Sequence, residues 1–121
     1  MFIRINVNPL DNDTGDCTVR AISHALGESW HRSYMGIVLE GFMFCDMPSQ
    51  NKCWASYLRY RGYRRRMIPD EYYTVRDFCR DNPHGAYILA LDGHVISVRD
   101  GNYYDTWDSG NKTVLYYWYK E

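Results

Sequence analysis

Hydrophobic residues change their spacing halfway along the chain. In the first half they recur at helical intervals. After the polar, turn-rich stretch Asn8 to Gly15, residues Val19, Ile22, Ala25 and Leu26 mark one helix stopped by Gly27, with Asp16 as its N-cap and Cys17 in its first turn. Ser29 caps a second helix carrying Trp30, Tyr34, Ile37 and Val38 and closed by Gly41. Ser49 caps a third, with Cys53, Trp54, Tyr57 and Leu58, closed by Gly62. A shorter fourth follows Thr74, where Thr74-Val75-Arg76-Asp77 reads as a capping box.

The second half is patterned for strands. Ala86 to Leu91 is an apolar run, Asp92-Gly93 a turn, and His94 to Arg99 a second run with Val95, Ile96 and Val98. Asp100-Gly101 is a strong hairpin signal. Asn102 to Asp105 and Val114 to Tyr119 complete an expected antiparallel meander, the tyrosine-rich end packing on the helices. Helices first and a sheet second give an α+β fold, N-terminal helices packed on a C-terminal antiparallel sheet. No linker or repeat interrupts residues 1–121, so a single domain is expected.

Composition supports one packed core. Hydrophobic residues make up 45% of the 121 positions, and 12 Tyr and 4 Trp supply large buried surfaces. A formal net charge of −1 gives no whole-chain attraction to nucleic acid or an anionic membrane. No stretch approaches the ~20 apolar residues of a membrane span. The first residues, Met1 to Asn6, lack the pattern of a secretory leader, so a cytoplasmic location is expected.

In a reducing compartment the four cysteines are expected as free thiols. Cys17, Cys45, Cys53 and Cys79 are too scattered to open a zinc site, so no metal is expected. Cys45, Cys53 and Cys79 read as buried small hydrophobes. Cys17 differs. Gly15-Asp16-Cys17 puts a thiol at a helix start, where unpaired N–H groups and the helix dipole favour thiolate. Those N–H groups, that of Cys17 included, can also receive an oxyanion.

Gly93-His94-Val95 places a histidine at the mouth of a strand. Tyr104-Asp105-Thr106-Trp107 places a carboxylate on the next strand, across the hairpin and within reach of that imidazole. Asp105 fits the orienting role better than Asp108, whose Asp108-Ser109-Gly110 setting reads as a turn. Trp107 either shields the Asp–His hydrogen bond or packs in the core. His24, His31 and His84 lack comparable settings, and His24 is too far along the Cys17 helix to act as its base.

With these three residues in this order, the chain resembles the papain-like cysteine peptidases, most closely small phage-borne ones with GDCxxRA, GHV and YDTWDSG segments. Here these are Gly15 to Ala21, Gly93 to Val95 and Tyr104 to Gly110. The likeness extends through Gly41-Phe42-Met43, Met47-Pro48-Ser49 and Tyr73 to Cys79. It implies a papain-like fold and a Cys17–His94–Asp105 triad acting on an amide, isopeptide or thioester bond of a protein or peptide, without a cofactor. It also implies residence in the host bacterial cytoplasm. Papain-like enzymes usually carry a glutamine six residues before the cysteine, whose amide donates to the oxyanion. That position is Asp11, which when ionised only accepts; Asn12 supplies an amide if the loop is shifted by one residue. Losing such a donor costs ~2.7–4 kcal/mol of transition-state stabilisation.

Two other classes remain. A papain-like scaffold that binds a protein without cleaving it is the alternative the missing glutamine favours. The cluster Arg59, Arg61, Arg64, Arg65 and Arg66, interleaved with Tyr60 and Tyr63, has the composition of an RNA surface. Such runs are more often a solvated helix end and a charge-protected edge strand, so a nucleic-acid partner is not expected.

Overall fold

A computed structural model describes residues 1–120. Its elements run β1 (Phe2–Arg4), α1 (Cys17–Leu26), α2 (Trp30–Phe44), α3 (Asn51–Tyr60), β2 (Tyr63–Met67), α4 (Val75–Asp81), β3 (Ala86–Leu91), β4 (His94–Arg99), β5 (Asn102–Asp105) and β6 (Tyr116–Lys120). The fold is α+β, with one six-stranded sheet in the order β1-β5-β4-β3-β6-β2.

The sheet departs from the expected meander in two ways. First, β1 pairs parallel to β5, with Phe2 opposite Tyr103, so the sheet is mixed rather than antiparallel. Second, β6 does not follow β5 but lies between β3 and β2. The reason is edge occupancy: β1 already covers the outer edge of β5, leaving the far edge of β3 open. The chain reaches that edge past the start of α4, where Val75 N–H donates to Lys112 O and Val114 N–H to Tyr73 O. The β4–β5 turn is as expected. Asp100 and Gly101 both take positive φ, 50° and 78°, the two-residue geometry that suits strand twist.

Helices cover both faces of the sheet. On one face, α1, α2 and α3 bury Ile22, Ile37, Trp54 and Leu58 against Ile88, Val95 and Trp118. On the other, α4 buries Val75 and Phe78 against Leu89, Ile96, Val98 and Tyr103. Burial on both faces explains why β3 and β4 read as near-continuous apolar runs.

Helix ends follow local chemistry, with corrections. Gly27 closes α1 at φ 67°, and the Arg99 guanidinium donates to the His24 and Ala25 carbonyls at 2.8 and 3.1 Å, a cation at the negative helix end. Ser29 Oγ accepts the Arg32 N–H at 3.1 Å. Gly41 does not stop α2, which runs on to Phe44 and ends at Cys45 with φ 54°. Gly41 is instead a close-approach position, since a Cβ there would meet Asp46 O at 3.0 Å and the Pro48 backbone. The cap position of α3 is Gln50, one residue beyond Ser49. Thr74 and Asp77 form the expected capping box.

Half-buried Glu28 ties the helical layer together. It accepts Ser33 Oγ and Tyr57 OH, both at 2.6 Å, and pairs with Arg61. Burial raises its carboxyl, but these three donors outweigh it and hold it below the ordinary range. Cys53 and Cys79 are buried and burial pushes both thiols up, whereas Cys45 is exposed, contrary to expectation, because it occupies the turn that ends α2. Arg64, Arg65 and Arg66 lie on the solvent-exposed edge strand β2, with Arg65 over the rings of Tyr116 and Trp118. Among the described residues no helix is long and apolar enough to cross a membrane.

Candidate active site

Three elements meet where the chemistry-bearing residues lie. Cys17 is the first residue of α1, His94 the first of β4 and Asp105 the last of β5. Packing of α1 on β4 brings the helix start to the strand mouth, and the Asp100-Gly101 hairpin brings β5 alongside.

His94 Nε2 lies 2.6 Å from Asp105 Oδ2. The same ring is hydrogen-bonded to Cys17, and with Nε2 taken, Nδ1 is the nitrogen left to face sulfur. Burial works against a charged imidazole here. The hydrogen bond and charge of Asp105, then those of Cys17, outweigh it and raise His94 to about 9. The environment thus favours the charged ring, which donates from both nitrogens.

Cys17 responds in the opposite sense. Burial alone would raise the thiol, but hydrogen bonds from His94, the Val95 N–H and Thr18, with the charge of His94, lower it below its ordinary value. A partly exposed cysteine with a depressed pKa beside a cation is the setting of a reactive thiolate.

The carboxylate is fixed in turn. Asp105 is 5% exposed and accepts the Thr106 N–H at 2.7 Å and Ser109 Oγ at 3.1 Å besides His94. Trp107, 40% exposed, stacks on His94 with ring centroids 4.9 Å apart, so it covers the imidazole rather than packing in the core. Asp108 is taken up by Tyr103 OH at 2.6 Å and Gly110 N–H at 3.0 Å, as a turn residue.

Asp16 corrects the sequence reading. It stands at the cap position, yet its side chain makes no capping bond. The buried carboxylate instead takes Asn8 Nδ2 at 3.1 Å, Trp30 Nε1 at 2.9 Å and the guanidinium of Arg20. The first-turn N–H groups of α1 are thereby left without a side-chain cap from Asp16.

A groove of about 510 Å³ runs past the residues flanking Cys17, lined by Gly15, Thr18, Trp30, Tyr34, Ile37, Val38, Met47, Pro48 and Trp54 among others, though not by Cys17 or His94 themselves. Trp30 and Tyr34 stack at 5.0 Å to form one wall. Behind Cys17 lies a hollow of about 10 Å³, one water at most, between Arg20, His24, Ser97 and Asp105. His24 is occupied there, its Nδ1 2.7 Å from Ser97 Oγ.

The two oxyanion candidates lie on the loop before α1. Asp11 (φ 54°) and Asn12 are exposed in a loop wrapped around Asn8, whose Oδ1 accepts the Leu10 and Asn12 N–H groups at 3.0 and 3.3 Å. Neither lines the groove or the hollow. Trp30, Ser109 and the Val95 N–H were not legible as site residues in the sequence. The only available signals were Ser109 inside the Tyr104–Gly110 segment and Val95 beside His94.

No family model, curated protein or solved structure matches this chain. What the geometry defines is a buried carboxylate, an imidazole and a thiol joined in one hydrogen-bonded series at a helix start.

Proposed function

We propose that this chain is a papain-like cysteine hydrolase that attacks a peptide or related acyl bond through Cys17, His94 and Asp105. The observation that carries the reading is the continuous series from Asp105 through His94 to Cys17, ending where α1 presents uncapped N–H groups.

The thiolate of Cys17 attacks the carbonyl carbon, forming a C–S bond and an oxyanion received by the Cys17 N–H and the first turn of α1. His94 gives its proton to the leaving amine, alcohol or thiol as that bond breaks. Neutral His94 then takes a proton from water, the resulting hydroxide attacks the acyl-enzyme, and Cys17 leaves as thiolate. Asp105 keeps the ring oriented and stabilises its charged form. The groove, aromatic and aliphatic on most of its lining, suits a large apolar side chain next to the bond attacked.

The test is acyl-enzyme capture. Mixing the protein with a phenylalanyl thioester, quenching in acid and mapping the mass increase is expected to find the acyl group on Cys17, with turnover abolished in C17A. Acylation spread evenly over Cys17 and Cys45, or no turnover, counts against the reading. One observation favours the binding-scaffold alternative: no side-chain amide lines the groove. Reactive Cys17 without turnover of any acyl donor is the outcome that supports it.

A further inference from the structure

Arg20 belongs to the Gly15-to-Ala21 segment, yet the chemistry above gives it no role. It stands three residues after Cys17 and four after Asp16, so all three share one face of α1. Its guanidinium pairs with Asp16, donates to Thr14 O at 3.4 Å, and places NH2 3.9 Å from Asp105 Oδ1. The side chains of Arg20, Asp16 and Asp105 are only 13%, 6% and 2% exposed, so none of these charges is left to solvent.

We infer that Arg20 is a positioning residue of this site, bridging the carboxylates on either side of the Cys17–His94 pair and balancing their charge. The inference rests on the reading of Cys17 and His94 as a thiolate–imidazolium pair.

The charges around the pair explain why such a bridge is needed. Asp16, Asp105 and the thiolate are three anions against one imidazolium, and Arg20 reduces the excess from two negative charges to one. Without it, Asp16 keeps only neutral donors, Asn8 and Trp30, and remains a buried anion one residue before Cys17. The other groups on the hollow do not replace it. His24 faces Ser97, and burial followed by the charge of Arg99 holds it low, while Arg99 itself is bound to the end of α1. Lysine reaches either carboxylate as a point charge, but it cannot span both as a planar fork does.

The test follows iodoacetamide alkylation of Cys17 against pH in wild type, R20Q and R20K, with thermal unfolding recorded alongside. A charge within about 4–6 Å moves a pKa by about 1–3 units, and Arg20 acts on the pair through the two carboxylates it touches. R20Q is therefore expected to raise the midpoint for Cys17 by at least about 0.3 units, roughly twofold slower alkylation below both midpoints, with R20K in between. A stabilising role alone changes the unfolding temperature and leaves the midpoint of the folded protein in place. A depressed wild-type midpoint that R20Q, or R20K if R20Q does not fold, leaves unchanged overturns the role of Arg20 alone. A wild-type Cys17 with no depressed midpoint overturns the ion-pair reading beneath it.

Discussion

Replacing Asp105 by asparagine keeps the size of the side chain and removes the charge 2.6 Å from His94 Nε2. His94 stands at about 9 against an ordinary 6.5, which at 1.36 kcal/mol per unit is about 3 kcal/mol in favour of imidazolium. That sum includes the burial cost and is shared between Asp105 and Cys17, with Asp105 the larger partner. Giving Asp105 about half of it, D105N lowers the imidazole midpoint by at least about one unit, or about 1.4 kcal/mol. The assay is a ¹H–¹³C NMR titration of the His94 ring, assigned against H94A. The sign extends to stability. A raised histidine pKa contributes stability that is complete below about 6.5 and fades as pH rises through about 9, so the gap between wild type and D105N narrows in alkali. A His94 midpoint in D105N within about 0.3 units of wild type would refute the assignment of Asp105.

Other consequences follow from packing and charge. Glu28→Gln leaves Arg61 without its half-buried partner and is expected to cost about 1–3 kcal/mol near pH 7 by chemical denaturation. Because the Glu28 carboxyl is held low, the difference shrinks as pH falls through its titration; a pH-independent difference contradicts this. Gly36→Ala sets a methyl into the ring of Tyr57, which Glu28 holds, and is expected to cost about 1–3 kcal/mol, read as a lower melting temperature. Val38→Asp puts a charge in the apolar groove; kcat/KM for aromatic acyl donors drops at least about tenfold, while iodoacetamide still alkylates Cys17 at the wild-type rate. Equal loss with both reagents would show a damaged site rather than a lost side-chain pocket.

Much of the fold was legible because its signals are local. The helical spacing of Ile22 and Ala25, the capping box at Thr74 and the Asp100-Gly101 turn each act over a few residues. The juxtaposition of His94 and Asp105 was legible for the same reason, since one hairpin carries both. What escaped depends on distant pairing. Three residues at Phe2–Arg4 carry too little pattern to announce a strand, and they become one only by meeting β5 about a hundred positions later. Because β1 holds that edge, β6 goes to β3, an outcome no property of Val114 to Tyr119 dictates. Gly41 reads as a stop, but its function is contact with the 46–48 backbone. Asp16 reads as a cap because any carboxylate before a helix does; its partners Asn8, Arg20 and Trp30 converge only in three dimensions.

The most direct measurement of the central claim is the alkylation rate of each cysteine by iodoacetamide as a function of pH, mapped by peptide mass spectrometry in wild type and H94A. The ion pair predicts that Cys17 reacts fastest, with a midpoint well below the ~8.5 of a free cysteine, and that H94A removes this advantage. Exposed Cys45 is the internal reference for an ordinary accessible thiol. A Cys17 that reacts no faster than Cys45 at pH 6–7, or equally fast without His94, would contradict the nucleophile assignment.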